Sequence, residues 1–227
     1  MKILAIETST KKFSLAIADG KAVLRFRNFS EERVLSSALL PALQALLKLV
    51  GLTFADIEGI AVGLGPGSFT SLRVGLSTVK ALAFTAHLPV VGVCSLDLIA
   101  LNAPPNGRVR VLCDAKRDLV YTAVYEKKDA TLRRISDNQL LPIAAAESLS
   151  SQDQILIGDG LALLAARGRK TGQKNQPLWI TNKKLWLPQA KNIFALVFDR
   201  FAAKQVADSS LLVPLYLYPE DCQIKKG

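Results

Sequence analysis

The sequence predicts an α/β protein built from two lobes, and three observations support this fold class. Polar and apolar residues alternate in three early runs, at residues 2–7, 13–18 and 22–26, with an Asp19-Gly20 turn between the last two. Helical and strand patterns alternate after them, which is typical of a sheet with parallel connections. A segment rich in Pro, Asn and Gly at 102–107 then precedes a second hairpin pattern, so a second lobe of related topology is expected.

The first lobe is predicted to span residues 1–103. A helix from about residue 30 ends at Gly51, and it is followed by a strand at 57–64, a helix at 70–87, a strand at 90–93 and a helix at 96–102. Three strands followed by alternating helices and strands is the element order of one lobe of the actin, Hsp70 and sugar-kinase architecture (ASKHA, RNase H-like). The sequence is therefore expected to adopt that architecture with a reduced second lobe.

The second lobe is predicted at 104–188. Strands at 109–114 and 119–125 flank the turn 115–118, and a strand at 155–157 leads through Gly158-Asp159-Gly160 into a helix at 161–167. A last helix of about 189–205, in a segment 189–217, is expected to return to the first lobe, and 218–227 is read as a tail.

Basic residues outnumber acidic ones, and this excess bears on the partner. The 227 residues carry 29 Lys and Arg against 19 Asp and Glu, a formal charge of +10, which favours an acidic partner such as RNA. The densest basic cluster has two tryptophans interleaved, so a solvated loop with core tryptophans and an RNA contact are both open readings. Its members are Arg167, Arg169, Lys170, Lys174, Trp179, Lys183, Lys184 and Trp186.

Metal, disulfide and membrane functions lack the residues they need. Three cysteines form no close-spaced pair, and His87 is the single histidine, so no metal site is predicted. His87 precedes Leu88-Pro89 and is expected to cap a helix. No run reaches the roughly 18–20 apolar residues of a membrane span, and a cytoplasmic location is expected.

A glycine-rich loop at 63–75 joins an apolar strand to a helix. Backbone N–H groups at such a junction favour an anion or an acidic partner group, and a tight turn that needs glycine explains the same residues. The loop lacks the Gly-Lys-Ser/Thr of a P-loop and fits the dinucleotide fingerprint poorly. Candidate cofactor-binding residues are Gly65, Gly67, Ser68 and Asp159.

Two helices carry too few charges for fully solvated outer faces. No charge occurs between Val34 and Leu47, and a helix that is apolar nearly all round is buried on both sides, either within the chain or by a partner. The helix at 70–87 has one polar stripe. The predicted partner interface comprises Leu35, Ala38, Leu39, Ala42, Leu43, Leu46, Arg73, Ser77 and Lys80.

The run from Gly65 to Ala83 resembles the hallmark segment of the TsaB (YeaZ) family. Segments 3–10, 36–47, 114–121 and 214–217 agree, and the resemblance is strong over 1–126. The chain departs from the family pattern in having Ser71 for Gly, Glu7 for Asp, Lys116 for Arg and Leu35-Ser36-Ser37 for His-Ser-Glu.

This resemblance implies a non-catalytic subunit in the synthesis of threonylcarbamoyladenosine beside the tRNA anticodon. Such a chain would pair with the catalytic subunit TsaD, help to recruit the ATPase TsaE, meet tRNA through the complex, and form a homodimer when alone. No catalytic residue is predicted, and no cofactor beyond a weak nucleotide contact at the complex interface.

The alternative is an ATP-dependent phosphotransferase of the same architecture. Such an enzyme needs carboxylates near the phosphates, and four stand at loop positions: Glu7, Asp19, Asp114 and Asp159. Structural turns explain all four as well. A peptidase is disfavoured because the single histidine lies beside Pro89.

Overall fold

The computed structural model describes residues 1–10, 12–29, 34–129, 131–169 and 176–218. They divide into two compact units, the first made of Met1–Asn102 with Leu187–Pro214 and the second of Ala103–Trp186 with the residues from Leu215 onward. These boundaries fall one to three residues before the predicted ones. The segment 215–218, predicted in part as the end of the last helical segment, belongs to the second unit.

Eleven strands and six helices form the regular structure of the described residues. The strands are β1 (Lys2–Glu7), β2 (Ser14–Asp19), β3 (Ala22–Asn28), β4 (Gly59–Gly63), β5 (Val90–Val93), β6 (Gly107–Lys116), β7 (Leu119–Lys128), β8 (Thr131–Arg134), β9 (Gln139–Pro142), β10 (Gln154–Ile157) and β11 (Leu178–Trp179). The helices are α1 (Leu35–Leu49), α2 (Phe69–Ala86), α3 (Ser95–Ala100), α4 (Ile143–Ser148), α5 (Leu161–Ala166) and α6 (Phe194–Ala202). None of these helices is long and apolar enough to cross a membrane.

The first unit is a five-stranded sheet in the order β3-β2-β1-β4-β5. Strands β1, β2 and β3 pair antiparallel, whereas β1, β4 and β5 pair parallel. The central strand β1 is apolar on both faces because both are covered. Leu4 and Ile6 join the core that includes α1 and α2, and Ile3 and Ala5 join the core that includes α6.

The second unit repeats this strand order with shorter helices. Its sheet runs β11-β10-β6-β7-β8, and β9 pairs with the other end of β7, so that β8 and β9 together take the place of a third strand. Strands β6 and β7 are antiparallel, and β10 is parallel to both β6 and β11. The predicted two-lobed α/β fold with a reduced second lobe is confirmed.

Several predicted elements differ from the structure at their ends. The strand predicted from residue 57 starts at Gly59, after a 3₁₀ turn at Phe54–Asp56. The last helix covers only Phe194–Ala202 and follows a 3₁₀ turn at Ala190–Ile193, so the helix predicted at 189–205 was too long. Residues 30–33 and the tail from 219 lie outside the described residues.

Candidate functional site

Glu7, the last residue of β1, has a buried carboxyl group that lies beside the start of the glycine-rich loop after β4. Glu7 is 1% exposed, and its Oε1 accepts a hydrogen bond from the Ser9 amide at 2.6 Å. Its Oε2 accepts one from the Ser95 hydroxyl at 2.9 Å. Burial raises the pKa of Glu7, and the hydrogen bonds from Ser9 and Ser95 oppose that rise. The Glu7 carboxyl therefore joins β1 to the start of α3.

The glycines of the loop allow it to pack directly on the end of β1. A Cβ atom at Gly63 would overlap Glu7 Oε2, and one at Gly67 would overlap the Ser9 carbonyl. A Cβ at Gly75, in the second turn of α2, would overlap the Thr8 hydroxyl. Close backbone packing thus requires glycine at these three positions, and the positive φ expected of a tight turn occurs at Gly65, with φ 94°.

The N–H groups expected to attract an anion are partly used inside the chain. The Gly65 amide donates to Ser95 Oγ at 3.1 Å, and the Ser68 amide donates to the Ser9 carbonyl at 2.7 Å. Ser68 is also the N-cap of α2, where its hydroxyl accepts a bond from the Ser71 hydroxyl at 3.0 Å. A nucleotide contact by this loop stays a prediction.

The second unit has a corresponding junction between its first hairpin and the loop after β10. Asp159 Oδ1 accepts a hydrogen bond from the Asp114 amide at 2.7 Å, and the Gly160 amide donates to the Leu112 carbonyl at 2.9 Å. Burial raises the pKa of Asp159, and the charge of Asp114 raises it further. Lys116 forms an ion pair with Asp114. Asp159, a candidate for nucleotide contact, thus has a structural role at this junction.

Helix α1 buries most of the residues predicted as a partner interface. Leu35 is partly buried against the first unit's core, and the other five α1 residues of that prediction lie inside it: Ala38, Leu39, Ala42, Leu43 and Leu46. The prediction that these five form a surface was wrong, because the sequence did not distinguish the two apolar faces of α1. Leu40 is 47% exposed and Leu49 is 52% exposed, and they lie on opposite sides of α1 because nine residues make about two and a half helical turns. Pro41 and Ala45 are exposed between them.

Helix α2 and the segment after α6 add further exposed apolar residues that the sequence analysis missed. Phe84 on α2 is 79% exposed, and Leu211 and Val213 are 75% and 69% exposed. Helix α2 packs against both α1 and the 3₁₀ turn at Ser209–Leu211, so these residues belong to neighbouring elements of one unit.

The three polar residues predicted on α2 have contacts within the first unit or lie exposed. The Arg73 guanidinium lies 3.7 Å from the centroid of the Phe69 ring. Lys80 Nζ donates to the Ser210 carbonyl at 2.9 Å, and Ser77 is exposed. Lys80 therefore ties the segment after α6 to α2.

Metal-binding geometry is absent from the part of the chain that the structure describes. No three His, Cys, Asp or Glu side chains lie together there as a ligand set. His87 ends α2 in a left-handed conformation with φ 53°, and its amide donates to the Ala83 carbonyl, as the predicted cap requires.

Comparison with known proteins places the chain in a family. Over 225 residues it is 30% identical to the tRNA threonylcarbamoyladenosine biosynthesis protein TsaB of Escherichia coli (strain K12), covering 96% of this chain and 94% of that protein. The chain belongs to the TsaB family. The TsaB protein of Bacillus subtilis (strain 168) is 31% identical over 156 residues, or 68% of each chain.

Two further comparisons agree with membership in the TsaB family. Residues 31–193 match the family model described as TsaD, tRNA N6-adenosine threonylcarbamoyltransferase. The solved structure described as YeaZ from Pseudomonas aeruginosa superimposes with a TM-score of 0.80 at 26% identity, over 95% of this chain and 99% of that one. The resemblance of the 65–83 segment to the TsaB (YeaZ) family is thereby confirmed.

Proposed function

We propose that this TsaB-family chain acts in the synthesis of threonylcarbamoyladenosine in tRNA as a non-catalytic subunit that pairs with a TsaD-type catalytic subunit. The observation that carries the proposal is a group of exposed large apolar side chains on neighbouring elements of the first unit, in a chain of this family. Its members on α1, α2 and the segment after α6 are Leu40, Leu49, Phe84, Leu211 and Val213. Below, these five residues are called the apolar face.

Exposed apolar side chains of this size have a physical cost that a partner removes. Single exposed leucines are ordinary in monomers, but a group of them on adjacent elements is typical of an interaction surface. The α1 side of the apolar face has Lys48 as its one basic residue and no acidic residue between Leu35 and Leu49. Burial against a partner subunit is therefore favoured over solvation.

Each of the four carboxyl groups that a phosphotransferase could use has a partner inside its own unit. Glu7 accepts bonds from Ser9 and Ser95, and Asp159 accepts one from the Asp114 amide. Asp19 pairs with the N-terminal amine, and Asp114 pairs with Lys116. A base for phosphoryl transfer must reach the attacking hydroxyl, which the buried Glu7 carboxyl does not. These contacts support a non-catalytic subunit over the phosphotransferase alternative.

The remaining partners follow from the same proposal. The apolar face would serve the catalytic subunit in the complex and a second copy of this chain in its absence, so the two assemblies would compete. A TsaE-type ATPase and tRNA would then meet the assembled complex, and a nucleotide contact would depend on it.

Size-exclusion chromatography with light scattering tests the pairing. The chain is mixed with the TsaD homologue of its own organism, as wild type and as Leu40→Asp or Phe84→Asp. We expect a one-to-one complex for the wild type and its loss in both variants, because each places a charge in the apolar face. Val23→Asp is the matched control, since Val23 is 46% exposed on the edge strand β3 of the same unit.

The outcome is decisive when folding is checked alongside. Circular dichroism should show all three variants folded, since each changed side chain is exposed. Asp at Leu39 or Ala42 would instead test the core, because both residues are buried. A wild-type chain that stays apart from the TsaD homologue, or variants that pair as the wild type does, would contradict the proposal.

A further inference from the structure

The short helices of the second unit cover only part of one face of its sheet. Helices α4 and α5 have six residues each and pack around Leu112, Val120 and Leu156. A six-residue helix is about 9 Å long, whereas the ten-residue strands β6 and β7 extend over about 33 Å. The ends of these strands near residues 108 and 126 therefore continue beyond the helices.

Polar residues stand in register on that end of the sheet. Arg108 pairs with Gln154 on β10 and with Glu126 on β7, and Glu126 pairs with Arg133 on β8. Residues opposite each other in a sheet share a face, and Arg108 shares its face with Leu112 because the two are four residues apart on β6. The face that is apolar under the helices is thus polar beyond them.

This polar end forms a surface groove of about 670 Å³. Its lining is Arg108, Glu126, Arg133, Arg134, Ile135, Ser136 and Asp137. The side chains of Arg108 and Arg133 are 54% and 71% exposed. Their guanidinium groups are therefore accessible from solvent.

The two exposed arginines have partners that a stronger anion can replace. Arg108 Nη1 lies 3.4 Å from Asp153 Oδ2, and Arg133 Nη2 lies 2.5 Å from Glu126 Oε2. Exposed ion pairs of this kind contribute little to stability, so either guanidinium can exchange its carboxylate for a phosphate at small cost. Phosphate accepts the same pair of parallel hydrogen bonds as carboxylate.

A buried arginine beside the groove adds positive charge that its own contacts do not neutralise. Arg110 is 7% exposed, and it donates to Gln154 Oε1 at 3.0 Å and to the Leu149 carbonyl at 2.9 Å. Both acceptors are uncharged. Arg110 lies two residues from Arg108 on the same strand face, so its charge makes the potential at this end of the sheet more positive.

The charge of the whole second unit has the same sign. Sixteen of the 29 basic residues and ten of the 19 acidic residues lie in 103–186 and 215–227, a net charge of +6. The predicted basic cluster has ion pairs of the same kind, Arg167 with Asp118 and Arg169 with Glu147, and its Lys170 and Lys174 lie outside the described residues. The groove differs in that three arginines, Arg108, Arg133 and Arg134, line one cavity, together with the acidic residues Glu126 and Asp137.

We infer that the groove on the uncovered end of the second sheet binds the phosphate backbone of RNA through Arg108 and Arg133. The inference rests on the proposed function, which makes tRNA the RNA concerned, and it adds a direct contact by this chain. Backbone contacts of this kind fix orientation without reading sequence. Binding is therefore expected to depend on salt and to be similar for different tRNA sequences.

Titration of an unmodified tRNA transcript with the full chain tests the contact. Arg108→Gln/Arg133→Gln is compared with Arg25→Gln/Arg27→Gln, which removes two exposed arginines from β3 of the first unit. We expect the groove variant to bind about tenfold more weakly and the slope of log affinity against log salt to fall by about 1.4–1.8, as the loss of two phosphate contacts requires. The β3 control should bind nearly as the wild type does, and Arg108→Lys/Arg133→Lys should keep the wild-type salt slope while losing less affinity than the glutamine variant.

Several results would overturn the inference. One is a wild-type chain that does not bind the transcript at low salt, and another is an equal loss of affinity in the groove and β3 variants. The transcript would also have to resist competitors: its displacement by polyglutamate as effectively as by tRNA, or its full displacement by millimolar inorganic phosphate, would contradict the inference. Chromatography of the groove variant with the TsaD homologue separates the two proposals, because pairing should persist there. If the wild-type chain does not pair with the TsaD homologue, the result counts against the proposed function, and the tRNA titration still reports whether the groove binds RNA.

Discussion

The two units share one strand order but cover their sheets differently. In the first unit α1 and α2 have 15 and 18 residues, and in the second α4 and α5, which occupy the corresponding positions between strands, have six each. The long helices carry exposed apolar side chains, whereas the short ones leave a polar end of the sheet exposed. Helix length therefore decides which kind of surface each unit offers.

The contact between the first hairpin of each unit and the loop after β4 or β10 also differs between the units. In the first unit the hairpin supplies the carboxyl group, Glu7, and the loop supplies space at Gly63. In the second unit the loop supplies the carboxyl group, Asp159, and the hairpin supplies the Asp114 amide. The same topological contact is thus made with the roles of hairpin and loop exchanged.

Gly158→Ala is the change that should damage the second junction most. Gly158 has φ +122°, and a Cβ atom there would overlap the Leu112 carbonyl of β6. We expect a loss of about 3 kcal/mol or more in the free energy of unfolding, from overpacking and backbone strain together. Tryptophan fluorescence in urea reports it, because Trp179 and Trp186 both lie in the second unit.

Gly168→Ala provides the matched control in the same unit. Gly168 has φ +80°, but nothing lies within 4 Å of a Cβ placed there. Its substitution should cost only the backbone strain, about 1–2 kcal/mol. Equal losses for the two variants would show that the Leu112 contact does not hold the junction.

Removing one core leucine from each unit tests whether the units unfold separately. Leu39 on α1 and Leu161 on α5 are each 1% exposed. Either change to Ala should lower the free energy of unfolding by about 2–4 kcal/mol through lost transfer energy and the cavity left behind. Leu161→Ala should shift the unfolding transition seen by tryptophan fluorescence. Leu39→Ala should shift a transition seen by circular dichroism and leave the fluorescence transition unchanged.

Leu40→Ala is the control for the assignment of faces on α1. Leu40 is next to Leu39 but 47% exposed, so its loss should change stability by less than about 0.5 kcal/mol. If Leu40→Ala destabilised the chain as much as Leu39→Ala, the orientation of α1 would be wrong. A single transition shared by both probes in Leu39→Ala would instead mean that the units unfold together.

The sequence predicts the elements whose patterns are long and local. Strand β1, strand β5 and helix α2 were placed within a residue or two, because their apolar runs and terminal residues are read from a single window. Strands β8 and β9 were missed although each has four residues, as β5 has, because neither is as rich in β-branched residues as β5, with its three valines, and both form by pairing with β7.

The site was harder to predict because its contacts join distant parts of the chain. The Asp114 amide and Asp159 are 45 residues apart, and Ser95 is 88 residues from Glu7. Helix α1 was recognised as apolar on both sides, but the pattern did not show which side faces the sheet. Only the packed structure distinguishes Leu39 from Leu40.

The buried carboxyl group of Glu7 makes the first unit sensitive to pH. Its folded pKa is raised above the ordinary value of 4.5, so the folded chain holds the proton more tightly than the unfolded chain. The stability linked to Glu7 is complete below pH 4.5 and is lost as the pH rises through the folded pKa.

Glu7→Gln should remove this dependence, because the amide does not ionise. Urea unfolding of wild type and variant is followed by circular dichroism. As the pH rises above 4.5, the free energy of unfolding of the wild type should fall relative to that of Glu7→Gln. Asp56→Asn is the control of opposite sign, since the Thr53 amide and hydroxyl lower the pKa of Asp56. That difference should favour the wild type at neutral pH and vanish as the pH falls below 3.8. If Glu7→Gln followed the wild type at every pH, the Glu7 carboxyl would not be the group that couples the first unit to protons.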